Sequence, residues 1–505
     1  MARAPLTFPA GLSRNATEYA TRGRWWDGDK VRFRNGFPQS IGGWEDAGVN
    51  GTPATLDGVA RSMLAFRSAT EVAKYMAIGT HKKLYAYNDD VLTDITPALF
   101  PEGRVSSAPG RGYGVGPFGD DDYGTPRSGS STSFVVDPTH WWLDTWGDEL
   151  VACASHDGTI YTWDGNRSNI AVALSDPSVP VNNRGIFVTD ERHLVAWGCG
   201  GNPRRLQWSD EEDYEEFAPG ATTKAGDIEF AGINRIMSIQ RNRNVNLVWC
   251  DNSLWAMYYQ GAPFYYGFER IGAECGPISV KSMVSRLGLA YWMGKSSFFI
   301  YNGSVEQLPC EVESYIFENI NAAHADKSFA FLNDPFDEVW FFIPWQDSEE
   351  PNFYVIYNYA DNNWSFGFMA RTAMHPLGTF ATPIGTSFSG ALYRHELGET
   401  ANGADLGFRL ESAPTELGEG EATARIKAVV PDLTMVGAVD LSFLTRFHPQ
   451  GAETTRGPYR VSPDQERVLM RIAARQARLK IAGASPETFV RLGRLRVDVD
   501  AAGPR

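Results

Sequence analysis

ELVACASHDGTIYTWDGN, Glu149 to Asn166, is an apolar run, a polar turn at His156-Asp157, and a second run in which Tyr161 and Trp163 are two residues apart. Alternation at period two after a turn of this kind is the pattern of a β-hairpin with one buried face. The form occurs earlier as VAKYMAIGTHKKLYAYNDD, Val72 to Asp90, turning at His81. It returns in HLVAWGCGGNPRRLQWSD with its turn near Gly200, and in NLVWCDNSLWAMYY with its turn at Asn252. LAYWMGKSSFFIYNG turns at Gly294-Lys295, EVWFFIPWQDSEEPNFYVIYNY near Asp347, and the poorer copy TPIGTSFSGALYRHE at Ser389.

After His156 the turns follow one another at steps of about 42 to 53 residues, the length of a β-propeller blade or slightly more. A strand pair cannot bury its face alone, whereas blades stacked around an axis share one core. Tyr85, Tyr87, Tyr161, Trp163, Phe299 and Tyr301 are therefore expected to be packing residues. The expectation is an all-β chain: a β-propeller of about six to seven blades over residues 61–400, with an additional β-rich platform formed by the terminal regions.

The first step, from His81 to His156, is about 75 residues, so some 30 exceed one blade. They lie between Ser106 and Asp137 and contain GRGYGVGPFGDDDYG, Gly110 to Gly124. A phosphate cradle needs a strand before it and a helix N-terminus after it, but Pro117, Pro126 and SGSSTS follow here. Asp120, Asp121 and Asp122 lack the alternate spacing and closing Glu of a calcium loop. The segment reads as an insertion between blades that orders against a neighbouring subunit or another component of its assembly, with Tyr113, Phe118 and Tyr123 as its contact residues.

Residues 1–60 contain RWWDGDKVRFRNGFPQSIGGW, a hairpin with Asn35-Gly36 at its turn. Residues 401–505 hold ATARIKAVVPDL, VDLSFLTRFHP, ERVLMRIAARQARLKIAG and ETFVRLGRLRVDVD. The last reads as one strand with a basic face, and RVLMRIAARQARLKI, which also suits a helix, reads as strand. Most of Arg467, Arg471, Arg475, Arg478, Lys480, Arg491, Arg494 and Arg496 are expected to face solvent or a partner. Residues 1–60 are expected to pack with this C-terminal region.

The 505 residues include 15 Trp, 20 Tyr, 29 Phe, 50 Gly and 29 Pro, a composition of many short strands and tight turns. The formal charge of -15 argues against wrapping duplex DNA, because phosphate affinity comes from Lys and Arg. DNA that passes without sequence-specific binding is compatible with it. Cys153, Cys199, Cys250, Cys275 and Cys310 form no CxxC pair and read as reduced, buried thiols. No apolar run approaches a membrane span and the first residues carry no apolar leader, so cytoplasmic synthesis is expected.

Catalytic patterns fail on their mechanics. His395-Glu396 lacks the second histidine of a zinc helix, and Ser155-His156-Asp157 are adjacent on a turn and cannot align as a triad. SDEEDYEEF, Ser209 to Phe217, reads as a solvated acidic loop, and no GxSxG or Walker A sequence is present. No enzyme activity, cofactor or metal is expected.

Several segments together resemble tail nozzle proteins of short-tailed bacteriophages, the group with tail tubular protein B and the packaged-DNA stabilisation proteins. They are KVRFRNGFPQSIGGW, WWLDTWGDELVA with IYTWDGN, AECGPIS, YWMGKSSFFIYNG followed by LPCEV, EVWFFIP, YNYADNNWSFG, LYRHELG, RQARLKI and RLGRLRVDVD, in this order. The resemblance implies a virion tail protein, a homohexameric ring below the portal adaptor. It also implies a channel for genomic DNA and an outer side supporting fibres, spikes or a needle. The alternative is a carbohydrate-binding or carbohydrate-cleaving propeller at the host-contact tip, using exposed Trp and the SDEEDYEEF acids.

Overall fold

A computed structural model describes residues 2–48, 54–68, 73–88, 90–109, 135–417, 422–448 and 450–504. Seven sheets each contain four antiparallel strands, consecutive along the chain in six of them, and these are the blades of a propeller. Blade one is Ala60–Ser68, Ala73–Thr80, Leu84–Asn88 and Val91–Asp94. The inner strands of blades two to seven are Trp141–Trp146, Gly185–Val188, Ile236–Asn242, Met283–Arg286, Phe329–Asn333 and Ala373–His375. Each inner strand touches the next, and the seventh touches the first, so the ring is closed.

All seven hairpins read from the sequence are the second and third strands of blades. In blade two, Leu150 faces Trp163 and Ala152 faces Tyr161. Tyr85, Tyr87, Tyr161 and Trp163 are buried, while Phe299 and Tyr301 are half-buried against the cluster between blades four and five. The thiols of Cys153, Cys199, Cys250 and Cys275 are free and buried. Burial pushes Cys199 up to about 12 and Cys275 to about 11, so these are poor nucleophiles.

Blade seven is closed from the other end of the chain. Its strands Ala373–His375, Ile384–Thr386 and Leu392–His395 are completed by Trp44–Asp46, with Tyr393 opposite Asp46 and His395 opposite Trp44. The N-terminal segment is thus shared, since residues 44–46 belong to the propeller and residues 2–40 to the platform.

The platform consists of three antiparallel sheets that interleave both termini. One orders Ala2–Leu6, Leu495–Pro504, Ala422–Val430 and Val468–Ala474. The second runs Trp25–Asp29, Arg409–Ser412, Gln476–Gly483, Val439–Arg446 and Thr454–Val461. The third contains the expected hairpin, Val31–Arg34 with Phe37–Ser40, and Asn35 and Gly36 at φ 53° and 80° make its turn. In Val468–Ala474 every second residue is buried, which settles strand over helix.

ETFVRLGRLRVDVD is two strands rather than one. Phe489–Leu492 and Leu495–Pro504 lie in different sheets. The chain breaks at Gly493, where a Cβ would stand 2.3 Å from the Asp432 carboxylate. That carboxylate accepts the Arg494 N–H at 2.7 Å.

Platform and propeller share one core, in which Trp25, Val31 and Phe33 join Phe298, Phe341 and Trp364 of blades five and six. Arg32 crosses the joint with its side chain 1% exposed. Its Nε lies 3.2 Å from Glu338 in blade six, and its other nitrogens grip the Glu396 carboxylate after the third strand of blade seven. Trp340 Nε1 donates to Glu338 at 2.8 Å, and the Phe336 ring centroid lies 3.6 Å from the guanidinium carbon.

Candidate functional site

Inner strands of a propeller run the same way along the axis, so their first residues meet at one mouth. In every blade a basic residue sits there: Arg61, His140, Arg184, Arg235, Lys281, Lys327 and Arg371, within two residues of the start of the inner strand. The turns between second and third strands and the connections between blades lie on this same face. The sequence pattern hid the ring, because each residue belongs to a different repeat. Its one signal is a basic residue ahead of the strand that precedes each hairpin.

Five of these residues hold neighbouring segments. Arg61 donates to Glu350 Oε1 and to the Val105 carbonyl, both at 2.8 Å. Lys327 Nζ donates to the same carboxylate oxygen at 2.7 Å and to Ser106 Oγ at 2.9 Å. Arg235 pairs with Asp137. Arg371 donates from Nε to His395 Nε2 at 2.9 Å.

Lys281 reaches across the axis from blade five. Its Nζ donates to the Trp141 carbonyl of blade two at 3.0 Å, and it stands 3.6 Å from the centroid of Trp142. Burial lowers its pKa to about 7. Asp326 has both carboxylate oxygens buried without a hydrogen-bond partner among the described residues, and burial raises its pKa, followed by the charge of Asp137.

The insertion leaves the fold at this mouth. Ala108 pairs with Val136 and Pro109 with Val135 in a two-stranded stem. Val105 and Ser106 before the stem, and Asp137 after it, are the groups held by Arg61, Lys327 and Arg235. Tyr113, Phe118 and Tyr123 lie outside the described residues.

The platform arginines divide. Arg478 is not a free surface charge: its NH2 bonds Glu411 at 3.0 Å, and its NH1 faces Glu18 and Glu453. Residues 478 and 480 share a strand face with Glu411 of the neighbouring strand, so Lys480 pairs there too, at 3.1 Å. Arg467 bonds Asp498 at 2.6 Å. Arg475 sits between Val468–Ala474 and Gln476–Gly483, half-buried, with its Nε unpartnered among the described residues. Arg491 is half-buried 6.0 Å from the Phe37 ring, whereas Arg471, Arg494 and Arg496 are exposed.

The acidic loop Ser209–Phe217 lies between the third and fourth strands of blade three, where Glu211 pairs with Lys224 and Glu212 with Arg192. His395 is buried beside Arg371, and Glu396 is taken by Arg32. No group of metal-ligating side chains occurs among the described residues. No helix among them is long and apolar enough to cross a membrane.

Charge separates with the architecture. Residues 41–400 carry 45 acidic and 24 basic side chains, while residues 1–40 and 401–505 together carry 22 basic and 16 acidic. An acidic propeller is fused to a basic platform.

The chain matches no protein-family profile and no curated protein sequence. It is similar to solved β-propeller structures. YCF48 bound to D1 peptide matches at 10% identity over 70% of this chain and 99% of that one, with TM-score 0.37. BamB from Moraxella catarrhalis matches at 9% identity over 68% and 99%, with TM-score 0.33. Exo-beta-1,3-galactanase from Phanerochaete chrysosporium, with galactose, matches at 11% identity over 91% and 100%, with TM-score 0.30. At these scores the likenesses carry no argument about the site, and the seven-bladed ring rests on the order of its own sheets.

Proposed function

We propose that this chain is a structural subunit of a short-tailed phage tail, a nozzle protein that assembles in the host cytoplasm into a homohexameric ring. The ring stacks below the portal adaptor, carries fibres, spikes or a needle outside, and retains and conducts genomic DNA through its centre. The observation that carries the reading is the separation of charge. A basic platform on an acidic propeller gives each copy two unlike ends, suited to polar stacking on neighbours, and acidic surface facing a lumen lets a polyanion slide without adhering.

The conduit is the axis of the ring of copies, because Lys281 crosses the axis of the propeller itself. Chemistry plays no part in this role. The sequence segments from KVRFRNGFPQSIGGW to RLGRLRVDVD support it independently of charge.

The test is electron microscopy of the purified full-length protein, alone and with a tail adaptor. Six-fold rings that stack coaxially on the adaptor are expected. Particles that stay monomeric with the adaptor present, together with binding or turnover of surface glycans by the isolated chain, would overturn the reading in favour of a carbohydrate-active propeller.

A further inference from the structure

We propose that the axial mouth holds a chloride-sized anion in a cavity between blades two, three and four. The cavity has a volume of about 30 Å3, and Arg104, His140, Trp142, Arg184, Trp197 and Arg235 line it. Arg104 Nε, both ring nitrogens of His140, and Trp197 Nε1 are buried with no hydrogen-bond partner among the described residues. A guanidinium Nε and an indole nitrogen are donors only, and a neutral imidazole always carries one donor. Three side chains that line one cavity thus hold buried donors without a partner among the described residues. A buried donor left unpaired costs its whole desolvation, so the missing group is an acceptor.

Charge decides what kind of acceptor. Three guanidiniums, of Arg104, Arg184 and Arg235, border the cavity, and the one carboxylate there, Asp137, is paired with Arg235. Arg104 and Arg184 have no ion pair among the described residues. His140 adds no charge, since burial and then Arg61, Lys281 and Arg235 hold its pKa well below the usual histidine range. A water molecule satisfies donors but brings no negative charge to three half-buried guanidiniums that share the single carboxylate of Asp137. The volume is more than one water needs and admits a halide.

Val136 and Asp137 belong both to this cavity and to the base of the insertion. A bound anion therefore fixes the stem of the insertion to three blades at once.

The test is thermal unfolding of the full-length protein in potassium gluconate, with chloride or bromide replacing gluconate at constant ionic strength. Wild type is expected to show a saturable rise in midpoint with either halide. Arg184→Gln is expected to raise the half-saturating concentration about tenfold, as loss of a charged hydrogen-bonding partner does. Trp197→Phe keeps the packing ring, removes one donor, and shifts it less; a bromide anomalous peak in the cavity of wild-type crystals gives the site directly. No response to halide, an equal response in wild type and both variants, or a response to phosphate alone overturns the proposal. So does a bromide-soaked crystal with no peak in the cavity.

Discussion

Arg32 stands where three parts of the molecule meet, held between a carboxylate of blade six and one of blade seven while its own strand belongs to the platform. Removing the cation leaves Glu338 and Glu396 facing each other in a dry joint. Arg32→Met is expected to cost about 3–5 kcal/mol, read as a lower urea midpoint. Arg32→Lys is expected to recover only part, because an ammonium cannot grip two carboxylates in a fork.

Glu338 adds a pH signature. Burial raises its pKa from 4.5 to about 7, with the charge of Glu396 helping and Arg32 opposing. Between those two values the folded chain holds a proton that the unfolded chain has released. The contribution of Glu338 to stability is therefore fully present below about 4.5 and is lost as pH rises through 7. Relative to Glu338→Gln, wild type should gain stability from pH 8 to pH 5, measured by paired urea titrations; parallel curves would refute the assignment.

At the scale of elements, the hairpins were legible because both strands and the turn lie within about 20 consecutive residues, where period-two burial is a local pattern. Blade closure by Trp44–Asp46 was not, since it joins residues some 350 positions apart and three residues carry no periodicity. The break at Gly493 was hidden for a similar reason: Asp432, which needs the space, is remote in sequence. The insertion could be found by length alone, but its exit beside the axis depends on cations from blades one, four and six. Replacing residues 110–134 with a short Gly-Ser turn retains the antiparallel stem. The monomer is expected to melt within about 2 °C of wild type, because no core element is touched, while ring assembly falls. A deletion that still forms rings in sedimentation experiments would remove the insertion from assembly.

For the whole molecule, the uneven charge makes association between copies, or with an adaptor, sensitive to salt. Exposed charges are screened beyond about 8 Å at physiological ionic strength, so complexes should weaken several-fold between low and high salt in sedimentation experiments. Arg494→Glu with Arg496→Glu should imitate high salt without lowering the melting temperature, because both side chains are exposed. Complexes indifferent to salt and to both reversals would mean that apolar contacts hold the assembly. Net charge could be read from composition; its division could not, because residues 1–40 join residues 401–505 only after folding.

The pairing of Ala2–Leu6 with Leu495–Pro504 also bears on how a cell makes this protein. Residues 2–6 find their sheet partners nearly 500 positions further along the chain, and blade seven waits for Trp44–Asp46 to meet Leu392–His395. Blades can form as they emerge, yet the ring cannot be sealed before Leu392–His395 is made, nor the platform before Leu495–Pro504. A chain terminated before residue 495 is left with open sheet edges and is expected to be a target for proteolysis.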